Sequence, residues 1–142
     1  MQARRSLVVT VVLMVASVLA GACDSDGGGG GGSGGGGGEE GEATGAVCPT
    51  TQTLTFGNFG KAFMQSYCLR CHSKDVTGEK REGAPADHNF DTVDEIRGLA
   101  EHIDELAGAG PNAVNAIMPE GDPRPSEAER KKLSEWLACG AP

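Results

Sequence analysis

Residues 68–72 read Cys68-Leu69-Arg70-Cys71-His72. The spacing C-x-x-C-H is that of a c-type haem attachment site. Its chemistry requires two thiols close enough to add to the two vinyl groups along one porphyrin edge. It also requires a histidine directly after the second thiol, as the proximal iron ligand. Two other readings share part of the pattern: half of a zinc site, and a thioredoxin-like dithiol that happens to precede His72.

Working outward, Phe59, Phe63 and Tyr67 recur every four residues and form a helical stripe that leads into Cys68. Asn58 is the expected N-cap, and Met64 on this helix reads as core filler. Downstream, residues 73–91 are polar, carry Gly78, Gly83 and Pro85, and read as a loop. Thr92 and Glu95 then form a capping-box pattern. It predicts a helix to about Ala107, with Ile96, Leu99, Ile103 and Leu106 on one face and Gly108 and Gly110 as the stop. Residues 111–117 are expected as a short helix. Pro119 disfavours a helical backbone at Met118, so the chain turns extended there. Ser126 and Glu129 repeat the capping box and open a last helix to about Ala138, with Leu133, Trp136 and Leu137 facing inward. The sequence contains no internal repeat and no strand of usable length.

A haem iron has a second axial position, and its occupant separates an electron carrier from a ligand-binding protein. Met118 is the preferred candidate, 46 positions after His72 and just outside a predicted helix. A thioether is a soft donor that favours ferrous iron and raises the reduction potential. His102, beside the apolar stripe of the middle helix, is the rival; His88, in the polar loop, is a weaker one.

The front of the chain has a different character. Arg4 and Arg5 precede the apolar run LVVTVVLMVASVLA, residues 7–20, which is short for a membrane span. Residues 1–22 therefore read as an export signal. The stretch LAGAC, residues 19–23, resembles a bacterial lipoprotein signal, with Ala20 standing where that family usually has leucine. The resemblance implies that Cys23 becomes an acylated N-terminus that holds the protein on a membrane surface. Soluble export and an uncleaved anchor are the alternatives. All three place the remainder outside the cytoplasm, periplasmic or on an outer face, where c-type haem is attached and disulfides persist. Residues 23–47 follow as a linker built on GGGGGGSGGGGG at 27–38. Its r.m.s. span is roughly 25–30 Å. The folded domain is expected over residues 48–142.

Of the 142 residues, 23 are glycine, and most of these lie in the linker. Only four Phe, one Tyr and one Trp are present to build a core, which is marginal for a domain this small. The formal net charge is −8, and loss of Arg4 and Arg5 with the signal makes it more negative. An acidic surface argues against nucleic acid and anionic headgroups as partners, and suits a basic redox partner or solubility alone.

With these pieces in place, the chain resembles the class I c-type cytochromes. The likeness rests on Gly60 eight residues before Cys68, on CLRCH, on the late Met118-Pro119, and on Leu133-x-x-Trp136-Leu137 in the last helix. It covers residues 48–142. It implies an all-α cytochrome c fold of three to four short helices wrapped around one covalently bound haem c. In that family the glycine lets the first and last helices cross closely. Cys68 and Cys71 would carry the haem, and His72 and Met118 would ligate its iron. The family often has a proline about a dozen residues after the proximal histidine, whose carbonyl orients the histidine ring. Here Pro85 stands one position later. The crossing helices would also make a Cys48–Cys139 disulfide reasonable, closing a loop worth about 4–5 kcal/mol on chain-entropy reasoning. Independent thiols, or a zinc site shared with Cys68 and Cys71, are the alternatives. The implied function is one-electron transfer with redox partner proteins, not catalysis. The rival functions are a haem subunit of a peroxidase- or oxidase-type enzyme and a haem-based gas or redox sensor.

Overall fold

The computed structural model describes residues 41–142, so the expected export signal, the expected acylation site Cys23 and most of the expected glycine linker lie outside the described residues. Among the described residues the chain is all-α. It forms four helices, α1 (Lys61–Tyr67), α2 (Val93–Gly98), α3 (Ala100–Ala107) and α4 (Glu127–Ala138), with a wide π-type turn (Phe56–Gly60) before α1 and a 3₁₀ turn (Gly78–Arg81) between α1 and α2. The only β feature described is an isolated antiparallel bridge between Ala109 and Val114.

The first helix starts three residues earlier than its stripe suggests. Thr55, not Asn58, is the N-cap. Asn58 occupies the third position of a capping box, donating its N–H to the Thr55 hydroxyl and accepting the Thr55 N–H at 2.7 Å. A Thr/Asn pair satisfies the same two free backbone donors as the more familiar Ser/Glu pair. The stripe itself is as expected. Phe59 meets Phe63 tilted at 5.5 Å, Phe63 meets Tyr67 edge-on at 5.0 Å, and Phe59 meets Trp136 edge-on at 6.0 Å. Phe63 and Met64 are buried.

The predicted middle helix is broken. At Leu99 the backbone leaves the helical region (φ −121°, ψ 17°), and its N–H reaches back to the Ile96 carbonyl. Gly98 just before it is the weakest helix former in the segment. The break lets α2 and α3 each turn a buried isoleucine, Ile96 and Ile103, into one core with Leu133, Trp136 and Phe63.

The short helix expected over residues 111–117 is absent. Those backbone groups find partners elsewhere: Asn112 N–H donates to Thr44 O at 2.9 Å, Asn115 N–H to Gly108 O at 2.8 Å, and Gly110 N–H to Ala113 O at 2.9 Å. Asparagine competes poorly in helices because its side chain seeks backbone partners of its own. Asn115 does so, donating to the carbonyls of Glu42 and Asp104. The folded body therefore starts upstream of Cys48. Thr44 is fully buried, with its hydroxyl donating to Asp104 Oδ2 at 2.7 Å.

The last helix has the predicted Ser126–Glu129 capping box and inner face. It crosses the first helical segment where Gly60 lies flat against Trp136, and a Cβ at Gly60 would overlap the indole. Around this crossing the Phe56 N–H and Trp136 Nε1–H both donate to the Pro142 carbonyl. Cys48 and Cys139 are joined as a disulfide with Cα atoms 4.7 Å apart.

Two stability changes are expected. Gly60→Ala overpacks the crossing and lowers stability by about 1–3 kcal/mol, whereas Gly98→Ala, whose Cβ meets nothing, is neutral or stabilising; denaturant melts of both read the contrast. Replacing Cys48 and Cys139 together by serine is expected to cost about 2–5 kcal/mol, measured against the oxidised parent.

Candidate functional site

Helix α1 ends by placing Cys68 at its C-cap, with Cys68 N–H still bonded to Met64 O. One tight turn follows, in which Cys71 N–H and His72 N–H both donate to Cys68 O, at 3.1 and 3.0 Å. Both thiols are unbonded to each other and half-buried. Burial pushes the Cys68 thiol up to about 12 against the opposing pull of the Arg70 and Arg130 charges. Burial also raises Cys71, helped by its hydrogen bond to Glu82 Oε2 at 3.4 Å. At neutral pH both are therefore thiols. A dithiol redox centre needs a cysteine with a lowered pKa, and neither residue has one. The four-cysteine zinc reading also loses its ligands, because Cys48 and Cys139 are bonded to each other. Among the described residues no three of His, Cys, Asp and Glu gather as a metal site.

His72 is held in one orientation. Its Nδ1 lies 3.0 Å from the His88 carbonyl. A carbonyl only accepts, so Nδ1 carries the proton and Nε2 keeps its lone pair. Burial lowers the pKa of His72, and the His88 bond opposes that only in part, so the ring is neutral at pH 7. Phe90 stacks on it at 4.6 Å and 15°, and Phe90 N–H donates to His72 O at 2.9 Å. Neutral, oriented and with Nε2 free, His72 has the form of a metal-ligating histidine.

Pro85, the candidate acceptor that the family resemblance offers, does not hold the ring. Its carbonyl is occupied by Arg81 Nη2, and His72 uses His88 instead. No local pattern marks Arg81, which sits in a polar run yet is buried and feeds the carbonyls of Ser73, Val76, Ala84, Pro85 and His88. Ser73 and Lys74, just past the motif, are tied to the Asp91 carboxylate at 2.7 and 2.8 Å. The loop over residues 73–91 is thus closed at both ends around the histidine.

Met118 is half-buried against the core. Its N–H donates to Leu106 O at 2.8 Å, and its carbonyl accepts from Arg130 Nη1 at 2.7 Å. The same Nη1 reaches the carbonyls of Ala107 and Asn115, each at 2.9 Å. From the motif side, Arg70 donates to the carbonyls of Gly121 and Asp122, so the CLRCH turn and the chain just after Met118 are joined directly. His102 lies elsewhere: its ring meets that of His88 at 5.0 Å, on the flank that supports His72.

The donor set fits a c-type haem. Cys68 and Cys71 offer two free thiols one turn apart, His72 offers Nε2, and Met118 offers a thioether on a backbone fixed from both sides. Half-buried apolar side chains, including Leu54, Phe56, Leu69 and Leu99, pack with Cys68 and Met118 against the core. No helix among the described residues is long and apolar enough to cross a membrane. Comparison with protein-family models, with curated proteins and with solved structures found no match to this chain.

Tyr67, next to the motif, donates to Glu129 Oε1 at 2.9 Å and ties the motif to the start of α4. The Ser126 hydroxyl and N–H, then Tyr67, hold the Glu129 carboxyl below the usual range. A carboxyl depressed on folding stabilises fully above its unfolded pKa, near about 4.3, and loses that contribution as pH falls through the folded value. Glu129→Gln is expected to cost about 0.5–1 kcal/mol at pH 7, with solvent screening keeping it small. It should also flatten the stability profile below pH ~4.5, as read by urea melts across pH.

Proposed function

We propose that this protein is a one-electron carrier with a single c-type haem, bound through Cys68 and Cys71 and ligated by His72 and Met118. The observation that carries the reading is the state of His72. Directly after two free cysteines, it is neutral, with Nδ1 engaged by the His88 carbonyl and Nε2 left free.

When bound, the haem would supply a ferric/ferrous couple that accepts one electron from a donor and gives it to an acceptor. The chain's own residues do the rest. His72 presents Nε2 without changing its protonation. The Nδ1–H bond to a carbonyl raises the basicity of the ligating nitrogen. Met118 offers a soft sulfur that favours the reduced metal, and Arg130 and Leu106 keep its backbone from drifting. With Met118 as its second ligand the iron would keep no open position, which would suit electron transfer rather than ligand activation.

The proposal extends to location. Cys23 would be acylated after export, and the glycine tract would let the domain reach redox partners near a membrane outside the cytoplasm. The excess of acidic residues favours partners with a basic docking face.

Expression in cells that mature c-type haem is expected to give a red protein with one thioether-bound haem by the pyridine haemochrome assay. Its ferric form should show the weak near-infrared band of sulfur-to-iron coordination. Its ferrous form should bind carbon monoxide weakly, and Met118→Ala should bind it tightly. A colourless product would refute the haem reading. Tight carbon monoxide binding by the unmodified protein would favour a ligand-binding enzyme subunit or sensor.

A further inference from the structure

We infer that Arg81 is a positioning residue for His72, holding the carbonyl that fixes the histidine's tautomer and orientation. The inference rests on the proposal that His72 ligates a haem iron.

Arg81 is 8% exposed, yet no carboxylate pairs with it; the single ion pair among the described residues is Arg97–Asp94. A buried guanidinium is stable only if its donors are met. Here they are met almost wholly by backbone. Nη1 donates to Ser73 O at 2.8 Å, to Val76 O at 3.2 Å and to the Asn89 side chain at 3.1 Å, while Nε donates to Ala84 O at 3.1 Å. Nη2 has two protons and two acceptors, the carbonyls of Pro85 and His88.

The His88 carbonyl thus receives Arg81 Nη2 at 3.2 Å and His72 Nδ1 at 3.0 Å. One oxygen has two lone pairs, so both bonds can form at once. The segment carrying this carbonyl has no helix or strand to fix it. A planar fork anchored at its other nitrogens supplies the missing rigidity, which a lysine's single rotatable ammonium does not. Pro85 O receives the His88 N–H at 3.1 Å as well as Arg81 Nη2, so both of its lone pairs are used and His88 O is left as the acceptor for the ring. Arg81 also sets a permanent positive charge beside the ligand, which favours the less positive, reduced metal.

The test uses the haem-loaded protein with Arg81→Lys and Arg81→Met variants. Both variants lose the fork, so exchange of the His72 Nδ1 proton should accelerate by about tenfold or more. The Phe90 N–H, bonded to His72 O in the same loop, should stay protected. The paramagnetically shifted resonances of the His72 ring should move in both variants. The reduction potential should fall in Arg81→Met and stay near the parent value in Arg81→Lys, which keeps the charge. In the unmodified protein the Arg81 Nη protons should exchange slowly; this measurement decides the matter if a variant fails to fold. Free exchange of those protons, an unchanged Nδ1 proton in both variants, or equal exposure of Phe90 N–H would overturn the inference while leaving the haem reading intact. An unmodified protein without covalent haem overturns both.

Discussion

Buried carbonyls need donors, and two arginines supply them to eight main-chain carbonyls, seven of which lie outside the four helices. The segments over residues 73–91 and 108–125 contain almost no regular structure. Left unpaired beneath the surface, their backbone oxygens would each cost free energy comparable to a lost hydrogen bond. Arg81 meets this need on one side and Arg130 on the other, each buried and each directed at main-chain oxygens. The two ligand candidates, His72 and Met118, sit at the ends of these networks. The chemistry proposed for the site therefore depends on guanidinium groups that need not touch the cofactor at all.

This arrangement explains what could be read from the sequence and what could not. The two outer helices were legible because their signals are local. The Phe59–Phe63–Tyr67 stripe and the Ser126–Glu129 box involve residues three or four apart. The CLRCH turn was legible for the same reason, since its meaning lies in its own spacing. Residues 111–117 were misread as a helix because their partners, Thr44 and Glu42, are about seventy positions upstream. The split at Leu99 was hidden because an unbroken helix shows the same apolar pattern, and only packing of Ile96 and Ile103 into one core demands the bend. Arg81 stands between Lys80 and Glu82 in a run of charged residues. Nothing local marks it as buried.

The chemical state of the motif agrees with these supports. Two neutral thiols and a neutral, singly protonated imidazole are the forms that the proposed thioether formation and iron ligation would use. The shift at Cys68 arises mainly from burial, and the one at His72 from burial working against a hydrogen bond. Gly60 contributes from a distance. Its missing side chain lets α4 lie close over the first helical segment, which brings Arg130 and Glu129 to the motif's edge.

The Cys48–Cys139 bond has a topological effect separate from its stability. It turns nearly the whole domain into a covalent ring, with residues 49–138 inside and, among the described residues, only 41–47 and 140–142 beyond. A protease that cuts the exposed stretch near Gly78 and Gly83 would open that ring without releasing a fragment. The clipped molecule would keep its mass, apart from one added water, until a reductant reached it. In an oxidising compartment such damage stays confined to a single nick, and both halves of the site remain on one molecule.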